Sequence, residues 1–99
     1  MTQKQIENQI KTIIFKYLPP QEYQIFLYGS RAAGRARKWS DYDIGIIGKK
    51  HIPSPTITVI EEELENSFDI PYNVDVVDFS QVSKDFKQVA LQKTIPWTK

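Results

Sequence analysis

Asp41 and Asp43 stand one residue apart in Ser40-Asp41-Tyr42-Asp43-Ile44, within a run that alternates polar and apolar side chains. Residues two apart on a strand share a face, so both carboxylates would look the same way while Tyr42 and Ile44 enter a core. Carboxylates held that close repel each other, and the arrangement is costly unless a proton or a cation compensates. Magnesium suits such a pair, because it prefers hard oxygen ligands and keeps waters and substrate phosphates in its shell. A third carboxylate comes from Val74-Asp75-Val76-Val77-Asp78. Asp75 and Asp78 are three apart and face opposite sides of a strand, so only one can join. Asp75 is favoured, because it lies mid-strand between two valines that point the other way. Asp78 falls where the strand ends, a place that aspartate often caps.

Upstream, an apolar segment runs into Gly29-Ser30 and then Arg31-Ala32-Ala33. A strand that ends in Gly-Ser and opens a helix offers free backbone N–H groups and a hydroxyl to a phosphate, and glycine lets the chain turn tightly against a ligand. Arg31, Arg35, Arg37 and Lys38 crowd the same stretch, where a polyphosphate would need neutralising. Gly29 to Gly34 also has the glycine spacing of a P-loop. The next residues are Arg35-Ala36, where that motif needs Lys followed by Ser or Thr, so a P-loop nucleotidase is set aside.

The elements that must position these residues follow from spacing. Ile6, Ile10, Ile13, Ile14 and Tyr17 form one apolar stripe of a first helix, which Pro19-Pro20 ends. Residues 23–28 (Tyr-Gln-Ile-Phe-Leu-Tyr) read as a buried strand stopped by Gly29, and residues 41–47 as a second. A long helix from Thr56 carries Ile57, Ile60 and Leu64 with glutamates on its solvated face. Residues 72–79 read as a third strand, and Ser80 as the N-cap of a closing helix with Val82, Phe86, Val89 and Ala90. Three strands among helices describe an α+β chain, a small mixed β-sheet flanked by helices largely on one side. No repeat or linker interrupts residues 1–99, so a single domain is expected.

Composition narrows the chemistry. A chain of 99 residues builds one modest core, so a large acceptor must come partly from another chain. Thirteen basic and twelve acidic residues nearly cancel, which argues against direct nucleic-acid binding and against attraction to a membrane surface. The chain has no cysteine, which removes disulfides and thiolate metal sites. The polar N-terminus and the lack of a long apolar run point to a cytoplasmic protein.

Taken together, Gly29-Ser30-Arg31-Ala32-Ala33-Gly34 and Ser40-Asp41-Tyr42-Asp43-Ile44-Gly45-Ile46 resemble the signature of the DNA polymerase beta-like nucleotidyltransferases. The short length and the Val74 to Asp78 ending resemble the minimal members that pair with HEPN proteins. The resemblance implies the polymerase beta-like fold and the transfer of a nucleoside monophosphate, AMP from ATP, to a hydroxyl. It places Gly29, Ser30, Arg31 and Ser40 in nucleotide binding, and Asp41, Asp43 and Asp75 in catalysis as ligands of two magnesium ions. It further implies a HEPN-family partner toxin modified on tyrosine, with this chain as antitoxin. The alternative is a catalytically silent, nucleotide-binding antitoxin that acts by complex formation.

Other residues carry less. His51 is read as a solvated side chain, Trp39 as packing over its loop, and Tyr28 and Tyr42 as core aromatics. Ile95-Pro96-Trp97 is apolar near the chain end, and is expected to fold back on the first helix or to meet a partner.

Overall fold

The computed structural model describes residues 2–98. Helix α1 spans Gln3–Tyr17, and Thr2 and Gln5 close its start with a reciprocal capping box. Its stripe of Ile6, Ile10, Ile13 and Ile14 is buried as the spacing predicts. Strand β1 is Tyr23–Tyr28, α2 is the single turn Gly29–Ala32, and β2 is Tyr42–Gly48. Helix α3 covers Ser54–Glu65, two residues earlier than expected. Pro55 falls within its first turn, where a proline lacks no needed hydrogen bond. Strand β3 (Val74–Asp78) is shorter than the apolar run that announced it, and α4 (Lys84–Ala90) completes the helices.

The sheet has four strands in the order β3-β2-β1-β4, so the expected three are corrected to four. The addition is β4, Ile95–Pro96, which pairs antiparallel with the edge of β1. Trp97 then turns onto the core beside α1, with Lys11 over its ring. Strand β1 is also antiparallel to β2, whereas β2 and β3 run parallel.

Each face of the sheet carries its own cluster. Ile25, Leu27, Tyr42, Ile44, Ile46, Val74 and Val76 meet α1 and α3 on the main core face. Tyr42 is fully buried there, and its hydroxyl is satisfied by Gln3 at 2.9 Å and Glu7 at 3.1 Å. The opposite face holds Phe26, Tyr28 and Phe79, with Val82 and Ala90 against them. Gly45 leaves this cluster its space, since a Cβ there would stand 2.3 Å from the Phe26 ring. The alternation of β2 therefore separates Tyr42 and Ile44 from Asp43, as the sequence requires.

The closing helix differs from its expected start. Ser83 caps α4 by accepting the Phe86 N–H at 3.1 Å. Ser80 is drawn to Asp78, to which both its N–H and its hydroxyl donate.

Candidate active site

Asp43 and Asp75 are paired in the register of β2 and β3 and lie on the face away from the main core. Tyr28 faces Asp43 across β1 and β2. Asp41 precedes β2 by one residue and is exposed. The three carboxylates thus gather at one end of the sheet without forming a closed cage. Among the described residues, no group of three acidic or histidine side chains is clustered tightly enough to hold a metal ion by itself. The expected convergence is realised in full only for Asp43 and Asp75. Asp41 lies one residue before β2, outside the ladder that would hold it.

The Gly29-Ser30 turn meets this pair directly. Gly29 has φ +75°, and a Cβ on it would lie 2.3 Å from Oδ2 of Asp43. Only glycine fits there, for both conformation and space. Ser30 follows in α2, half-buried, and its carbonyl accepts the Arg35 N–H at 2.9 Å. Ser40 organises the loop between α2 and β2, where its Oγ accepts the N–H of Arg37 at 2.8 Å.

Arg31 turns toward the Ser40 carbonyl and the main core. Its guanidinium donates twice to the carbonyl of Ser40 and stacks on Tyr42 and Tyr72, on the side of the main core. Arginine is suited to this double task, because its planar fork both donates and stacks.

Electrostatics mark the carboxylates as poor in cations. Burial raises the pKa of Asp43, and the negative charges of Asp75 and Asp41 raise it further. The ion pair found among the described residues, Lys16 with Glu63, ties α1 to α3 far from this cluster. Asp43 and Asp75 have no ion-pair partner among the described residues, and a divalent cation that took its remaining ligands from a bound nucleotide would lift the repulsion that Asp43 feels. Tyr28 is pushed up to about 12, by burial first and then by Asp43 and Asp75. Its hydroxyl therefore stays protonated at neutral pH.

A cleft of about 280 Å³ opens beside the turn, lined by Tyr28, Gly29, Arg35, Phe86, Val89 and Lys93. Phe86 and Lys93 escape a reading from spacing, since only the packing of α4 on the sheet brings them to Gly29. Asp78 lies on the other face and is buried. It accepts from the Ile52 N–H at 2.8 Å, from Gln81 and from Ser80. Against burial, which would raise it, those hydrogen bonds hold the Asp78 carboxyl below the usual range. Asp78 is thus a structural latch rather than a surface group. His51 is exposed but bonded, with Nδ1 2.7 Å from the Ser80 hydroxyl. Trp39 is 65% exposed, leaning on Tyr72 with the Lys38 ammonium over its ring, so most of the indole faces solvent.

A mixed sheet with a glycine-serine turn set against paired aspartates defines a nucleotidyltransferase. Residues 8–96 match the family described as polymerase beta, nucleotidyltransferase, and the chain belongs to that family. It is 32% identical over 80 residues to "Probable protein adenylyltransferase MntA" of Haemophilus influenzae, a match that covers 81% of this chain and 68% of that protein. Among solved structures, a toxin–antitoxin with AMP-PNP superposes with a TM-score of 0.75 at 23% identity, over 94% of this chain and 73% of the other. A tri-AMPylated HEPN toxin in complex with MNT antitoxin, from Shewanella oneidensis, gives 0.75 at 21% identity, over 99% and 74%. These structures share the fold.

Proposed function

We propose that this chain transfers AMP from ATP to a hydroxyl on a partner protein, a tyrosine of a HEPN-family toxin, and acts as its antitoxin. Residues 1–99 work in this reading as one nucleotidyltransferase unit in the cytoplasm. No described helix is long and apolar enough to cross a membrane. The observation that supports the reading is the contact of Gly29 with Asp43, which sets the Gly-Ser turn, taken here as the phosphate-binding element, against a carboxylate pair. The relatives add to it: the Haemophilus protein bears the name of a protein adenylyltransferase, and the Shewanella complex holds an AMPylated toxin beside its antitoxin.

In the reaction the acceptor oxygen attacks the α-phosphorus of ATP, the bond from that phosphorus to the β-bridging oxygen breaks, and pyrophosphate leaves. The backbone N–H groups of the turn and the Ser30 hydroxyl hold the phosphate tail, as preorganised donors placed where charge develops. Asp75 is more exposed than Asp43, which suits it to meet an acceptor arriving from solvent. Its carboxylate takes up the hydroxyl proton as the new bond forms. Asp41, Asp43 and Asp75 would hold magnesium, two ions in this reading, which supply charge neutralisation to the attacking and leaving oxygens.

The test uses ATP labelled at the α-phosphate with the chain and its co-purified partner. Label is expected on the partner and is lost with Asp41→Asn or Asp43→Asn. If the doubly substituted chain protects cells as well as the original, transfer is not how it neutralises the toxin.

A further inference from the structure

The loop that delivers Asp41 depends on very few bonds. The ladder between β2 and β3 begins only with the Tyr42 N–H donating to Asn73 at 2.9 Å, one residue too late to hold Asp41. Before it, Ser40 is fixed at three atoms, its N–H donating to the Arg37 carbonyl at 3.1 Å. Its Oγ accepts from Arg37, and its carbonyl oxygen accepts from Nε and Nη2 of Arg31 at 3.1 and 2.7 Å. That carbonyl shares one rigid peptide plane with the N–H of Asp41. Holding the oxygen therefore sets the plane from which the Asp41 side chain departs.

The guanidinium is itself held in place. It lies 4.0 Å from the centre of the Tyr42 ring and 4.8 Å from that of Tyr72. Tyr42 is fully buried and Tyr72 packs against the same core, so Arg31 is braced by the folded domain. Because Arg31 belongs to α2, the turn carrying Gly29 and Ser30 is coupled to the peptide carrying Asp41 through one side chain.

We propose that Arg31 is a positioning residue that fixes the metal-binding carboxylate Asp41 relative to the phosphate-binding turn, and is not a ligand of the phosphates. The proposal rests on the reading of the site given above. It accounts for a planar fork at this position: a lysine would keep the charge but could not donate as a pair while lying flat on two rings.

Manganese binding tests it without any need for turnover. Free Mn²⁺ is followed by electron paramagnetic resonance in the presence of AMP-PNP, and ATP binding is measured separately in EDTA. Arg31→Lys and Arg31→Met should each weaken Mn²⁺ binding by about tenfold or more, the effect typical of losing a group that orients a metal ligand. Both should leave metal-free ATP affinity within about twofold, because no phosphate contact is lost. Tyr72→Ala should shift Mn²⁺ binding in the same direction, and it carries the test if the Arg31 variants fail to fold by circular dichroism. Arg31→Lys with unchanged Mn²⁺ binding overturns the proposal. So does an Arg31→Met chain that loses ATP affinity in EDTA but keeps its Mn²⁺ midpoint, since that is how a phosphate ligand behaves. A wild-type chain that binds no Mn²⁺ fails differently, because it overturns the reading of the site itself.

Discussion

Asp43 and Asp75 face each other across the parallel pairing of β2 and β3, two like charges in register on the same side of the sheet. Opposed like charges destabilise a sheet by about 0.2–1 kcal/mol, so Asp43→Asn should stabilise the metal-free chain by that amount. The pH dependence has a definite sign. The folded-state pKa of Asp43 is raised above 3.8, so in that window the folded chain binds more protons than the unfolded one, and stability falls as pH rises through it. In thermal melts in EDTA from acid to neutral pH, the difference between the original chain and Asp43→Asn should carry this slope. An Asn variant that melts lower than the original at neutral pH refutes the account.

Gly29→Ala meets two obstacles at once. The residue sits at φ +75°, and the new methyl would occupy space 2.3 Å from Asp43 Oδ2. The conformation alone costs about 1–2 kcal/mol, and displacement of Asp43 should lower transfer by about 100-fold, the scale of an ångström-level misplacement. Activity assays and urea melts check the two parts separately. Retention of full activity would mean that the turn and Asp43 are not in register during the reaction.

Asp78 predicts the opposite behaviour from Asp43. Its carboxylate satisfies the Ile52 N–H, Ser80 and Gln81, tying the segment after β2 to the end of β3. Asp78→Ala strands these donors and should cost about 1–3 kcal/mol. Its depressed pKa gives stability that is present above the ordinary carboxylate value and is lost as pH falls through the folded value. Residual transfer activity, measured well below the melting temperature, should stay close to that of the original chain, which separates Asp78 from Asp75.

Tyr28 lies beside Asp43 with its hydroxyl pKa pushed up to about 12. It is therefore protonated at neutral pH and does not serve as a base. Tyr28→Phe should keep transfer to the partner within about threefold, because ring packing against Phe79 is retained. Appearance of label on Tyr28 itself, found by mass spectrometry, would contradict this.

Spacing along the chain determined α1, β1, the turn at Gly29 and the alternation that separates Asp43 from Tyr42. These depend on local geometry, the repeat of a helix and the two-residue period of a strand. The same period says that only one of Asp75 and Asp78 can share a face with Asp43, the mid-strand place of Asp75 between two valines favoured it, and the register of β3 sets it opposite Asp43. Tertiary structure alone decided the rest. Ile95–Pro96 is too short to be a strand until the edge of β1 pairs with it. The partners of Arg31 include Tyr72, which lies beyond α3 in the chain, so its basic neighbours suggested a phosphate where folding supplied a carbonyl and two rings. Ser80 looked like a helix cap until the buried carboxylate of Asp78 claimed it. In each case a side chain had several chemically reasonable partners, and the one it met was set by elements distant in sequence, which no local period encodes.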